Sequence, residues 1–182
     1  MTRLAETTDF LKDPRTNRVM AALEAAGGPD CARFVGGAVR NALMGLSVED
    51  VDIATQLEPR AVIDALKAAG IKVLPTGIDH GTVMAICKGR PFEITTLRRD
   101  VETDGRRAVV AFSRDWREDA LRRDFRLNAL YANRAGQVFD PLGQGLADLE
   151  ARRVVFVGDP HQRIQEDALR ILRFFRFHAG YG

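Results

Sequence analysis

Cysteine and lysine are scarce in this sequence, and long apolar runs and internal repeats are missing altogether. Only Cys31 and Cys87 occur, far apart and outside any C-x-x-C or Cys/His spacing, which excludes a disulfide framework or a zinc site. Two isolated thiols fit a reducing compartment, so a cytoplasmic protein is expected. No stretch approaches the roughly 18 apolar residues of a membrane span, and M-T-R-L-A-E-T-T-D-F lacks the apolar region of a signal peptide. Neither membrane association nor secretion is therefore expected.

Four lysines stand against 23 arginines, and the net charge is only +2, which excludes a strongly basic nucleic-acid binder by composition. The arginines are unevenly placed. Nine of them share Arg98 to Arg126 with seven acids, and six share Ala151 to Gly182 with three. A GC-rich genome would explain the bias, and so would a need for guanidinium forks that grip phosphates and base edges. With 182 residues, 46% of them apolar, the chain can bury one sizeable core beside a small second unit.

Residues 17–26 read as an amphipathic helix stopped by Gly27-Gly28-Pro29. Cys31 to Val35 reads as a strand entering Gly36-Gly37, Ala38 to Met44 as a helix and Val51 to Ala54 as a strand. Glu58-Pro59 opens a helix through Ala69, and Ile71 to Leu74 is again strand-like. After the turn-rich P-T-G-I-D-H-G, the runs 82–87 and 92–97 alternate as a hairpin whose turn is the four residues K-G-R-P. Trp116 to Ala132 reads as a helix running into a strand, and 137–139 and 154–157 as short strands. From Pro160 onward the pattern is continuously helical. The order predicts an α/β protein with a mixed sheet rather than a purely parallel one. Phe174, Phe175 and Phe177 on the last helix have no evident partner, so a longer parent protein is expected.

In S-V-E-D-V-D-I-A-T, 47–55, alternation sets Asp50 and Asp52 on one face and turns Val51 and Ile53 into the core. It also turns Glu49 away from the aspartates. Neighbouring carboxylates repel, and a divalent cation is the usual remedy. Thirteen residues before Asp50, Gly37 closes a Gly36-Gly37 turn from strand to helix, with Arg40 one turn along. Such a turn is either a bare connection or an anion cradle, and it matches neither G-x-x-x-x-G-K-[ST] nor G-x-G-x-x-G. A carboxylate pair beside a triphosphate cradle is what two-metal nucleotidyl transfer requires, with Glu93 as the third acid. A solvated acidic turn and a plain exposed strand Glu93 are the alternatives.

Two further clusters carry chemistry. Arg122, Arg123, Asp124 and Asn128 surround Phe125, Leu127 and Leu130, either as a sugar and phosphate site in which Asp124 orients the guanidinium groups or as a structural ion-pair cluster. On a continuous last helix, Arg163, Glu166, Asp167, Arg170 and Arg173 would share one side. That side is either a solvated face with Glu166–Arg170 and Asp167–Arg170 pairs, or one in which Asp167 and Arg170 read a nucleotide base while Glu166 fixes Arg170.

Taken in order, G-G-A-V-R-N-A-L-M-G, D-V-D-I-A-T, F-E-I-T-T-L-R, R-R-D-F-R-L-N-A-L, D-P-L-G-Q-G-L-A-D-L and E-D-A-L-R-I-L-R resemble the bacterial-type (class II) tRNA nucleotidyltransferase and poly(A) polymerase family. The resemblance implies a polymerase β-like nucleotidyltransferase head over 1–149 and the beginning of a helical neck over 150–182. It implies template-independent addition of C, C and A from CTP and ATP to the tRNA 3′ end with Mg2+. Asp50 and Asp52 match the metal-binding aspartates and Glu93 the supporting acid. Gly36, Gly37 and Arg40 match the triphosphate loop, Arg123 and Asp124 the ribose motif with Asn128 beside it, and Glu166, Asp167 and Arg170 the protein template that selects the base. Arg98 to Arg107 matches a mobile loop, and Asp140 to Leu149 a flexible connection.

Asn41 stands where the family has Asp, and Arg126 where it has Thr, removing one charge near Arg40 and adding one near the ribose motif. Poly(A) synthesis on RNA is the closest rival activity, and a nucleotide- or RNA-binding fragment without turnover is the non-enzymatic one. D-V-D-I-A-T also fits the D-x-D-x-[TV] loop of haloacid dehalogenase-like phosphatases, but Leu46-Ser47-Val48-Glu49 before it is too polar for the buried strand such a nucleophile needs.

Overall fold

The computed structural model describes residues 2–74, 76–100 and 110–181. Its first helices, α1 (Asp9–Lys12) and α2 (Pro14–Gly27), meet at Asp13, whose carboxylate accepts the Arg15 backbone N–H at 2.8 Å while Pro14 takes the first helical position. There follow β1 (Ala32–Val35), α3 (Gly37–Leu43), β2 (Asp52–Thr55), α4 (Pro59–Ala68), β3 (Lys72–Leu74), β4 (Thr82–Cys87) and β5 (Arg90–Thr96). A separate ribbon pairs β6 (Arg98–Asp100) with β7 (Val110–Phe112). The chain continues through α5 (Trp116–Leu121), β8 (Tyr131–Ala132), β9 (Val138–Phe139), α6 (Gly145–Glu150), α7 (Pro160–Glu166) and α8 (Leu169–Tyr181).

Seven strands form one mixed sheet in the order β3-β4-β5-β2-β1-β8-β9, with β2 and β5 parallel and the other described neighbours antiparallel. Alternation divides its residues between two faces. Phe34, Ile53 and Ile94 enter the main core with Val19, Met20 and Leu23 of α2 and Val62 and Leu66 of α4. Val35, Ala54 and Leu97 join a smaller cluster on the other face with Ala120 of α5 and Tyr131. Asp52 and Glu93 alternate onto that second face. Among the described residues, no helix is long and apolar enough to cross a membrane.

Four expectations change. The hairpin turn is Lys88-Gly89, two residues, both with positive φ as a type I′ turn needs. Pro91 lies inside β5, where it is tolerated because pairing with β2 begins only at Glu93 and leaves its side of the strand free. The last helix is two helices, broken at Asp167, which takes an extended conformation (φ −155°, ψ 104°). Finally, Phe177 is buried and Phe174 packs against the core, their rings meeting Phe125 and Phe156, while Phe175 stays exposed. Residues 154–157 form no strand beyond a single bridge, Phe125 to Phe156.

Candidate active site

Asp52 begins β2 directly opposite Glu93 on β5, and Met84 of β4 flanks Glu93 on its other side. Val51 and Ile53 are buried and Asp50 and Asp52 exposed, as alternation requires. The Asp52 carboxyl is nevertheless pushed above the ordinary carboxylate range. Loss of solvation in its recess is the main cause, the Glu93 and Asp50 charges add to it, and Arg123 opposes them. An open cleft of about 370 Å3 joins Asp50 and Asp52 to Gly37, Arg40 and Asn41. Glu49 lines it too. Residues 46–51 lie outside regular structure, so strict alternation does not govern Glu49.

The cleft owes its shape to Gly36, whose φ of 65° and ψ of −126° suit glycine alone. Arg40 lines the cleft yet is only 6% exposed. It donates to Asn41 Oδ1 through Nε (3.1 Å) and Nη2 (2.9 Å), to Asn128 Oδ1, and to the Tyr181 hydroxyl (2.9 Å), with the Tyr181 ring stacked 4.3 Å away. Asn41 therefore anchors Arg40 without a charge. The added cation of Arg126 is answered by Asp148, 3.5 Å away.

Asp124 does not orient the neighbouring arginines; Asp119 does. One turn earlier on α5 and 1% exposed, Asp119 accepts Arg122 at Oδ1 (Nε 2.9 Å, Nη2 2.7 Å) and Arg123 at Oδ2 (Nε 3.2 Å, Nη2 2.9 Å). The Tyr131 hydroxyl donates to the same Oδ2 at 2.7 Å and accepts Arg123 Nε at 3.1 Å. The 119/122/123 spacing is that of helical i,i+3 and i,i+4 ion pairs, a signal legible in the sequence that the R-R-D pattern obscured. Asp124 instead accepts the Phe125 N–H (2.8 Å) and Asn128 Nδ2 (3.1 Å) at one oxygen and Arg173 at the other.

Glu166, Asp167 and Arg170 are brought together only in part. Glu166 holds Arg170 at 2.6 Å and Arg163 at 2.8 Å. Asp167 caps the next helix, its carboxylate accepting the Leu169 N–H at 3.0 Å, so it forms no pair with Arg170. Arg173 points elsewhere, to Asp124. The expected five-residue polar face is thus split by the break between α7 and α8. Of the loop expected over Arg98 to Arg107, Arg98 to Asp100 form β6 and residues 101–107 lie outside the described residues.

Among the described residues, no three His, Cys, Asp or Glu side chains converge as a ready-made metal cage. Paired aspartates with crowded negative charge suit a hard divalent ion that draws its other ligands from substrate phosphates and water.

Mixed sheet, glycine turn and facing acids define the class of the chain, a polymerase β-like nucleotidyltransferase head. The poly A polymerase head domain matches residues 32–155, and the chain belongs to that family. It is 48% identical over 148 residues to the mitochondrial CCA tRNA nucleotidyltransferase 1 of Mus musculus, covering 81% of this chain and 34% of that protein. It is 47% identical over 150 residues to a CCA-adding enzyme of Streptococcus pyogenes, covering 81% and 36%. The crystal structure of the Bacillus stearothermophilus CCA-adding enzyme in complex with CTP superimposes with a TM-score of 0.76 at 36% identity, covering 91% of this chain and 39% of that one. The chain thus spans little more than a third of the length of these relatives.

Proposed function

We propose that this chain is the catalytic head of a template-independent nucleotidyltransferase that adds C and A, from CTP and ATP, to the 3′ end of tRNA. The observation that carries the reading is the facing pair Asp52 and Glu93, joined through Asp50 to the cleft floored by Gly37 and Arg40. The names of the relatives support the substrate, and the CTP complex of the Bacillus stearothermophilus enzyme supports the nucleotide. A cytoplasmic site of action fits the two free cysteines.

In this reading Asp50 and Asp52 would hold Mg2+, which would supply neutralisation of the triphosphate charge and acidification of the 3′ hydroxyl. Glu93 fixes the electrostatic setting of Asp52 from the neighbouring strand. The Gly36-Gly37 backbone lets the triphosphate approach, Arg40 braces that turn, and Arg123 faces the phosphates. Asp124 and Asn128 set the ribose end, and Glu166, Asp167 and Arg170 line the base end. We also propose that the head ends near Leu149 and that 150–182 begin a helical neck.

Incubation with tRNA lacking its 3′ end and labelled CTP or ATP tests the reading. Ordered incorporation of C and then A is expected. Robust poly(A) synthesis without C would replace it with the poly(A) polymerase reading, and CTP binding without incorporation would leave a nucleotide-binding fragment.

A further inference from the structure

Buried beside the cleft are two polar groups that the roles above do not use. Asp119 and the Tyr131 hydroxyl are both enclosed, 1% and 0% exposed by residue, and they converge on one guanidinium, that of Arg123. We infer that Asp119 and Tyr131 are positioning residues for nucleotide binding, holding the Nε–Nη2 edge of Arg123 so that its Nη1 faces the phosphates of a nucleoside triphosphate over the glycine turn. The inference rests on the nucleotide reading proposed above.

Three features go beyond a structural ion pair. The first is charge: one carboxylate serves two guanidinium groups, so the Asp119–Arg122–Arg123 cluster keeps one positive charge that Asp119 does not balance and that an anionic ligand would. The second is direction. Asp119 and Tyr131 engage Nε and Nη2 of Arg123, and among the described residues no acceptor engages Nη1. That free nitrogen lies 4.0 Å from where a Cβ on Gly36 would stand, and the Arg123 charge is felt at Asp52. The third is rigidity. Tyr131 pairs with Val35, the residue before Gly36, and Gly36 N–H donates to the Leu130 carbonyl at 3.4 Å. The Tyr131 ring also meets Trp116 edge-on, with centroids 5.3 Å apart. The strand that carries the phenol is thereby tied to the glycine turn, and the distance between turn and guanidinium is fixed by the sheet.

The hydroxyl can be removed alone, by Tyr131→Phe. Equilibrium titration of the 182-residue chain with CTP and with ATP in Mg2+ should show both affinities falling by the same factor, about fivefold, since the contact is to the shared triphosphate. Asp119→Asn should lose more, about 20-fold. The side-chain Nε–H resonance of Arg123, read by NMR without nucleotide, should lose exchange protection in Tyr131→Phe. In an Arg123→Lys background Tyr131→Phe should add less than about twofold, because the bond it removes is already gone. A folded Tyr131→Phe chain with unchanged affinity or an unchanged Arg123 resonance overturns the positioning role, as does an equal loss in both backgrounds. A parent chain that binds neither nucleotide overturns the nucleotide reading and this inference with it, whereas binding that survives Tyr131→Phe intact overturns only the inference.

Discussion

Asp52 and Glu93 stand side by side on parallel strands β2 and β5, in register and on one face of the sheet. Neighbouring strands lie about 4.8 Å apart, so two carboxylates here repel through little intervening solvent. Asp50, two residues earlier in the chain, adds a third charge whose effect reaches Asp52. The sheet therefore maintains a concentration of negative charge that Arg123 relieves only in part, since the Asp52 carboxyl stays raised, and such a concentration suits a bound cation.

The first prediction follows from the sign of that strain. Because the folded state holds the Asp52 proton more tightly than the unfolded state, stability rises as pH falls from the raised value toward 3.8 and is lower above it. Asp52→Asn should thus raise the melting temperature at neutral pH without metal and weaken this pH trend. Mg2+ should stabilise the parent chain and leave Asp52→Asn nearly unaffected. Thermal melts between pH 4 and 8, with and without Mg2+, read both effects, and equal stabilisation of both chains would remove Asp52 from the metal site.

Asp119 behaves oppositely. Although burial opposes its charge, Arg123, Arg122 and the Tyr131 hydroxyl hold its carboxyl down at about 2, against an ordinary 3.8. Its contribution, on the order of 2 kcal/mol, is fully present above pH 3.8 and lost as pH falls toward 2. Asp119→Asn should be less stable than the parent at pH 6, with the gap closing through that acid window. Urea unfolding at several pH values between 2 and 6 measures it, and a constant gap would mean that Asp119 acts by packing alone.

Much of this is legible in the sequence. The apolar alternation around Asp50 and Asp52 dictated their face, and the β-propensity of F-E-I-T-T-L dictated a strand for Glu93; their adjacency in register depended on long-range pairing that local pattern does not encode. Asp119 was missed although its i,i+3 and i,i+4 partners were in plain sight, because Asp124 lay nearer to the same arginines in sequence. The break at Asp167 escaped notice because E-D-A-L has ordinary helix formers on both sides. What ends the helix there is the Asp167 carboxylate, which caps the Leu169 N–H and starts a new helix instead of continuing the old one.

Arg170 offers a test of base selection. It is drawn back by Glu166 and by the Arg163 carbonyl, at 2.6 and 2.9 Å, so its remaining donors have a defined direction. Arg170→Ala should alter the ratio of CTP to ATP affinity while triphosphate binding is partly retained. Stability should change by about 1 kcal/mol, as for one partly exposed ion pair joining two helices. Titrations with the two nucleotides check it, and an unchanged ratio would return Arg170 to a purely structural ion pair.

The last prediction concerns how α8 is held. Arg173 donates to Asp124 Oδ2 from Nε (2.7 Å) and Nη2 (2.6 Å); Asp124 Oδ1 accepts from Asn128, and Asn128 Oδ1 accepts from Arg40. Tyr181, at the other end of α8, returns to Arg40 and Asn41 through its hydroxyl. The helix is thus tied to Arg40 of α3 at two points, directly through Tyr181 and through Asp124 and Asn128 from Arg173, with Phe177 packed between them. Arg173→Ala leaves the Asp124 oxygen facing protein with one partner fewer, at a cost of about 1–2 kcal/mol given the half-exposed arginine. Because the Arg173 end loses its polar anchor while Tyr181 keeps its own, amide exchange should quicken most near Leu172 to Phe174 and least near Tyr181. Hydrogen exchange read by mass spectrometry resolves the two ends, and uniform or unchanged exchange along α8 would show that the aromatic packing of Phe174 and Phe177, rather than the polar relay, fixes the helix on the head.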